Sequence, residues 1–187
     1  SDTELELNAT TIDMNGNLDL SGTINGISIL ADATNFTDSI LISQNASTGT
    51  LSSALRNTGF GDSIFASLTS GDNNTAIGSS AMTANSTGSS NTALGKDALA
   101  ANTTASNNVG LGESALAKNT EGHSNTGTGL AALEENTTGN SNTGIGFKAL
   151  NKNTTSNNNT AVGASALKVN TTGAENTAVG ANSLDAN

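Results

Sequence analysis

Asn74-Thr-Ala-Ile-Gly78 begins a unit that recurs every 17 residues, without insertion or deletion, to the end of the chain. A degenerate copy, Asn57-Thr-Gly-Phe-Gly61, precedes it by the same step. The later copies begin at Asn91, Asn108, Asn125, Asn142, Asn159 and Asn176. A short period kept without insertions is typical of solenoids and other repeat arrays, and it outweighs local propensity.

Each unit also contains a second apolar phrase, Ala-Leu in most copies, and a closing asparagine that is usually followed by threonine. Gly and Asn adopt turn conformations at low cost, and the apolar residues lack the 3.6-residue spacing of helices. We therefore predict an all-β fold, a parallel β-solenoid or β-roll of 17-residue coils. Each coil would have two short strands and two tight turns, and coils would stack about 4.8 Å apart.

Stacking at this period predicts ladders of equivalent side chains inside the coil. The predicted leucine ladder consists of Leu99, Leu116, Leu133, Leu150 and Leu167. The fourth residue of each opening phrase, from Ile77 to Val179, predicts a second internal ladder with Thr128 as the exception. The asparagines either form amide ladders or serve only as turn residues. The closing asparagines concerned are Asn102, Asn119, Asn136, Asn153 and Asn170.

A single chain has little to bury, because each coil offers only about two large apolar side chains. That burial is small beside the conformational entropy lost in ordering 17 residues. We therefore expect a parallel homotrimer in which each repeat meets its own copy. The small Gly and Ala residues that follow each Asn-Thr would then lie near the trimer axis.

Three regions follow from the pattern. Residues 1–30 contain very short apolar alternations separated by Asn-Gly and Ser-Gly turns, and predict an intertwined short-strand β shaft shared by three chains. Residues 31–73 form a connector that contains the degenerate repeat from residue 57. Within it we expect a strand at Ser39–Ile42 and a helical turn at Leu51–Leu55. Residues 74–187 form the β-roll.

Composition and charge argue against several functional classes. The chain has net charge −10, no Cys, and no basic patch, so nucleic-acid binding is not expected. No apolar run predicts membrane insertion, and no signal peptide is visible. His123 is the only histidine and lies at a variable repeat position, while Glu134 and Glu135 are adjacent and would point apart in a strand. We predict no enzyme and no cofactor.

One segment has the spacing of a cation-binding loop. Asp13, Asn15, Asn17 and Asp19 place oxygen-bearing side chains at alternate positions, as calcium loops do. The glycine is at the fourth place, and Ile24 stands where an EF-hand loop has glutamate. A simple turn is the competing interpretation.

Threonines also recur at the 17-residue period. One line runs through Thr75, Thr92, Thr126, Thr143, Thr160 and Thr177, and another through Thr103, Thr120, Thr137, Thr154 and Thr171. Flat threonine arrays on β-solenoids resemble ice-binding faces. The paired threonines are adjacent, however, so one strand would not present both on one face. Asn-x-Ser/Thr triplets such as the one at Asn85 follow the same repeat, and we interpret them as turns.

These repeats resemble those of two known families. Asn159-Thr-Ala-Val-Gly163 with the following Ala166-Leu167 is similar to the head repeats of trimeric autotransporter adhesins of the YadA type. The same arrays, together with residues 11–22, resemble bacteriophage tail-fibre proteins, especially those of marine phages. These resemblances imply parallel β-rolls from three chains packed together.

The phage resemblance further implies a virion tail-fibre shaft that spaces or presents a host-recognition tip. Its expected partners are other virion tail or fibre proteins and a host surface glycan or protein. The adhesin resemblance implies instead an extracellular cell-surface location. Phe147 is the only aromatic residue in the full repeats, so the array resembles a spacer more than a tip.

Overall fold

The computed structural model describes residues 23–24, 27–33, 36–43 and 49–185, with side chains for 40–42 and 49–185. Eleven strands form one sheet and follow one another in chain order. No helix occurs in these residues. The strands are β1 Thr23–Ile24, β2 Ile27–Ala33, β3 Phe36–Ser43, β4 Thr58–Phe60, β5 Thr75–Ile77, β6 Thr92–Leu94, β7 Val109–Leu111, β8 Thr126–Thr128, β9 Thr143–Ile145, β10 Thr160–Val162 and β11 Thr177–Val179.

The first three strands form an antiparallel meander that leads into the repeats. Strand β2 pairs antiparallel with β1 and with β3, and β3 then pairs in parallel with β4. The predicted strand at Ser39–Ile42 is confirmed within β3. The predicted helical turn at Leu51–Leu55 is wrong, since this segment makes only bends. The region boundaries at residues 30 and 73 stay predictions, although β2 crosses the first of them.

The repeats form a parallel β-solenoid, which confirms the predicted all-β class and the 17-residue coil. Strands β4 to β11 pair in parallel, with equivalent residues opposite each other, as in Thr75↔Thr92 and Ala76↔Ala93. The degenerate copy from Asn57 supplies β4 and pairs like the others. Eight such strands make a solenoid of about 38 Å at about 4.8 Å per coil.

The prediction of two strands per coil is wrong, because each coil contains one three-residue strand. The Ala-Leu phrase lies in a turn, where Leu99 has φ 51° and Leu133 has φ 53°. A left-handed residue cannot belong to an extended strand. The turn still bonds neighbouring coils, since Leu99 N–H donates to the Ala115 carbonyl at 3.0 Å.

The solenoid interior is narrow and consists of leucine and small residues. The leucine column that begins with Met82 and continues from Leu99 to Leu167 is fully buried. The middle residue of each strand, Ala or Gly, faces the same interior. A Cβ on Gly127 would lie 3.2 Å from Leu116 Cγ, and one on Gly144 would lie 3.2 Å from Leu133 Cγ. Each leucine therefore packs against the strand of the next coil.

The small residues after each Asn-Thr accordingly point into the solenoid interior, and their predicted place near a trimer axis stays a prediction. In a three-residue strand the middle side chain points to one face and its two neighbours to the other. A glycine follows each strand and turns the chain at the corner. Gly95, for example, has φ +138°, and a Cβ there would lie 2.6 Å from the Gly112 carbonyl carbon. Only glycine fits this corner.

Candidate functional site

The opening asparagine of each coil bonds both to the next coil and to its own turn. Asn91 Oδ1 accepts the backbone N–H of Asn108 at 2.9 Å, and Asn91 Nδ2 donates to the Ala105 carbonyl at 2.9 Å. The same backbone-to-Oδ1 bond recurs from Asn57 to Asn176 at 2.8–3.0 Å. These amides are fully buried from Asn57 to Asn159, so they satisfy the interior polar groups of every coil.

The closing asparagines form a second buried column with direct amide-to-amide bonds. Asn102 Nδ2 donates to Asn85 Oδ1 at 2.8 Å, and the contact repeats through Asn170 at 2.8–3.1 Å. Each Nδ2 also donates to the carbonyl three residues ahead, as Asn119 does to Gly122 at 2.9 Å. These asparagines are thus both ladder residues and turn residues.

The two asparagine columns share acceptors. The Gly122 carbonyl accepts from Asn119 Nδ2 at 2.9 Å and from Asn108 Nδ2 at 2.8 Å. Equivalent carbonyls in the other coils do the same, so the two columns and the backbone form one continuous network. Such a network resists bending and unwinding, because opening one coil leaves buried polar groups unpaired.

Two further columns, distinct from the opening and closing asparagine columns, also join coils. The hydroxyls of Thr69, Ser86, Thr103, Thr120 and Thr137 each donate to the backbone carbonyl one coil further on, at 3.0–3.1 Å. A variable column places an acceptor side chain against the backbone N–H of the preceding coil. Its acceptors are Asp72, Ser89, Ser106, His123, Asn140 and Asn157.

His123 belongs to this variable column. It is exposed, and its Nδ1 atom accepts the Ser106 backbone N–H at 3.0 Å. The ring proton of the neutral imidazole is therefore on Nε2. The sequence pattern did not identify this column, because its residues share only the ability to accept a hydrogen bond.

One surface position carries alternating charges in successive coils. Lys118 Nζ lies 2.7 Å from both carboxylate oxygens of Glu135, and Lys152 Nζ lies 3.6 Å from Oε1. The hydrogen bond from Lys118 lowers the pKa of Glu135, and the same hydrogen bond raises the pKa of Lys118. Glu134 lies in the same turn and accepts from Asn151 Nδ2 at 3.0 Å. Neither glutamate faces the other as an acid–base pair would.

The third strand residues form an exposed aliphatic column, so their predicted place inside the coil is wrong. Phe60 is 58% exposed, Leu94 49% and Ile145 40%, whereas the middle strand residues are buried. The first and third residues of a strand share a face, and here the leucine column already fills the interior. The aliphatic column consists of Phe60, Ile77, Leu94, Leu111, Thr128, Ile145, Val162 and Val179.

A threonine column lies beside the aliphatic column on the same outward face. It consists of Thr58, Thr75, Thr92, Val109, Thr126, Thr143, Thr160 and Thr177. We call the two columns together the outward face. It contains no charged residue over eight coils, in a chain whose net charge is −10. Its row of exposed apolar side chains is therefore suited to contact with another apolar surface.

Two more large apolar side chains are exposed just past the corner glycine. Leu130 and Phe147 lie two residues beyond the third strand position in successive coils, and they are 46% and 49% exposed. The Lys148 ammonium lies 5.2 Å from the centroid of the Phe147 ring, within cation–π range. This ring is the single aromatic side chain of the full repeats.

The remaining candidate residues divide between the described and the undescribed parts of the chain. Asp13, Asn15, Asn17 and Asp19 lie outside the described residues. Within the described ranges, no group of three or more His, Asp or Glu side chains is placed to hold a metal ion.

No helix of the described segments has the length and apolarity needed to cross a membrane. Asn85 and Asn136 of the Asn-x-Ser/Thr triplets are fully buried, which closes them to modification in the folded chain.

No family model, no curated protein and no solved structure matches the chain.

Proposed function

We propose that this chain is a structural fibre protein, a trimeric viral tail-fibre shaft that spaces or presents a host-recognition tip. The observation that carries the proposal is the uncharged outward face along a stiff, hydrogen-bonded solenoid. The charged side chains of the repeats, such as Lys118 and Glu135, lie at other positions of the coil, so no like charges oppose contact between two such faces. Self-association there would cover the exposed aliphatic column that a single chain leaves in water.

The size of the outward face limits what one contact between copies can bury. Eight strands of three residues give a footprint of about 38 Å by about 10 Å, or roughly 400 Å² per chain. Two such faces total roughly 800 Å², which is the range of weak contacts between two proteins. A trimer totals roughly 1,200 Å² shared among three contacts, so the proposed assembly depends on contacts repeated along the whole rod.

The interior also suits a spacer. Asparagine and backbone bonds run unbroken along the solenoid, so bending would break buried hydrogen bonds in several coils together. A rod held in this way transmits distance and orientation between its ends. Aromatic side chains, which sugar-binding sites usually offer as platforms, are exposed among the described residues only at Phe60 and Phe147.

Sedimentation velocity of the full chain tests the assembly. We expect a β-rich species of trimer mass that persists on dilution through the micromolar range. A double variant, Leu94→Asp with Ile145→Asp, places charges on the outward face and is expected to give folded monomers. A matched pair of aspartates at the exposed turn residues Thr138 and Thr155 is expected to leave the trimer intact. A well-folded parent at monomer mass would contradict the proposal.

A cellular surface adhesin of the trimeric autotransporter kind is the alternative. It shares the proposed assembly and differs in context. An outer-membrane anchor encoded in the same gene would favour the adhesin, and neighbouring capsid or baseplate genes would favour the virion fibre. Locating the protein on purified virions or on cells by immunogold labelling distinguishes them directly.

The threonine column favours a second candidate function, ice binding. Its half-exposed threonines stack in register, as in Thr126↔Thr143, and present hydroxyl and methyl groups along one line. The aliphatic column beside it replaces the second threonine line that the sequence suggested, because Thr103 and its equivalents bond to the backbone elsewhere. Thermal hysteresis and ice recrystallisation at micromolar protein test this candidate, and a stable trimer through the outward face would contradict it.

A further inference from the structure

We propose that Thr128 sets the axial register in which copies of this chain pack. The inference rests on the proposed self-association through the outward face. It concerns a residue that the repeat pattern marks only as an exception.

The repeat creates a problem for any self-association in parallel. Sliding one copy by a single coil, about 4.8 Å, again places aliphatic residues on aliphatic residues and threonines on threonines. Leu94 would then meet Leu111 in place of its own copy with little change in apolar contact. A perfectly regular outward face would therefore allow several registers of similar stability.

Thr128 breaks this degeneracy. It is the one polar residue in the aliphatic column, and its hydroxyl makes no hydrogen bond to any other described residue. In the matched register the Thr128 hydroxyls of parallel copies meet, and each can donate to one neighbour and accept from another. A slip of one coil places each hydroxyl against Leu111 or Ile145 of a copy, buried and unpaired.

Val109 independently destabilises the same slipped registers. It is the one apolar member of the threonine column and lies in the coil next to Thr128. In the matched register Val109 meets its own copy, and after a slip it meets Thr92 or Thr126. A single polar residue in an apolar seam is known to specify register in coiled coils, by the same unpaired-group penalty.

Single-cysteine reporters measure the register, since the chain contains no native cysteine. Leu94→Cys and Leu111→Cys are made separately in the full chain, and one of them carries a mass tag. The two are refolded together and oxidised gently. Disulfides need Cα atoms within about 4.4–6.8 Å, which a further 4.8 Å slip exceeds. We expect cross-links between like reporters to exceed mixed 94–111 cross-links by at least about tenfold.

The role of Thr128 in setting the register is tested by Thr128→Val, which keeps the shape of the side chain and removes the hydroxyl. We expect the trimer to persist while the preference for like reporters falls several-fold, with the remaining preference due to Val109. Thr138→Val, an exposed turn substitution, serves as the control and is expected to keep the full preference. An unchanged preference in Thr128→Val would overturn the role of Thr128, with self-association still intact.

Two other outcomes are equally decisive. Preferential cross-linking of Leu94→Cys with Val162→Cys would show an antiparallel arrangement about Thr128 and overturn the parallel register. A monomeric parent with no cross-link in any variant would overturn the proposed function, and this inference with it.

Discussion

Asn125 Oδ1 accepts the backbone N–H of Asn142 at 2.9 Å, so one side chain joins two coils at the centre of the solenoid. Asn125 Nδ2 donates in addition to the Gly139 carbonyl at 2.7 Å. Both asparagines are fully buried. The solenoid therefore depends on these amides in a way that a leucine-filled interior alone would not produce.

Asn125→Ala should destabilise the solenoid strongly. The change leaves the buried Asn142 N–H unpaired and removes one donor from the Gly139 carbonyl, at a cost of about 2–4 kcal/mol. Asn157→Ala removes an exposed acceptor of the variable column and should cost under about 1 kcal/mol. Urea unfolding of both variants at one protein concentration, followed by circular dichroism, checks the difference. Equal costs would mean that the amide network contributes no more than the outer column.

Leu133→Asp should be among the most damaging single changes. Leu133 is fully buried, so the substitution places an unpaired carboxylate among leucines and removes a large apolar side chain. We expect a loss above about 4 kcal/mol, or failure to fold. Thr138→Asp in the same coil is the control, because Thr138 is exposed. Lys118→Asp would be an unsuitable control, since it would set a carboxylate against Glu135.

The Lys118–Glu135 pair predicts a small pH dependence. The pKa of Glu135 is lowered from its ordinary 4.5 by the hydrogen bond from Lys118. A lowered folded-state pKa stabilises the fold above the ordinary value, and this contribution disappears as pH falls through the folded pKa. Glu135→Gln should therefore cost under about 1 kcal/mol at pH 7 and nothing at strongly acidic pH. A difference that persists unchanged to low pH would exclude the ion pair as its cause.

Substitutions at His123 test the variable column. Asn occupies the equivalent place at residue 140, where its Oδ1 accepts the His123 N–H at 2.7 Å. His123→Asn should therefore preserve the acceptor and leave stability within about 0.5 kcal/mol of the parent. His123→Ala should cost about 0.5–1.5 kcal/mol, the net value of one hydrogen bond. Amide hydrogen exchange at Ser106 should rise in His123→Ala and stay low in His123→Asn.

The period alone was enough to predict the coil, because a 17-residue step without insertions permits little else. The turn at Leu99 was beyond such reasoning. Leucine disfavours positive φ, yet here tertiary packing overrides that preference, since the side chain fills the interior completely. The orientation of Ile77 was missed for a related reason. Large residues are usually buried, and only the Ala or Gly between the two outer strand positions signals which face points inward.

The variable column and the Lys118–Glu135–Lys152 contacts were missed, although their residues also keep the 17-residue spacing. His123 and Asn140 are different residue types, so the column does not stand out as a repeated letter. The stacking that predicted the leucine ladder also places Lys118 beside Glu135. The asparagine columns were foreseeable because the same residue returns in every coil.

The Asn91–Asn108 junction is chemically the same as the Asn125–Asn142 junction and as every other in the column. A gene that gains or loses one whole unit therefore loses no interior bond. It changes the length of the rod by about 4.8 Å, the rise of one coil. Recombination between repeats can thus adjust the length of the rod. The coil that contains Thr128 has to be kept, because it sets the proposed packing register.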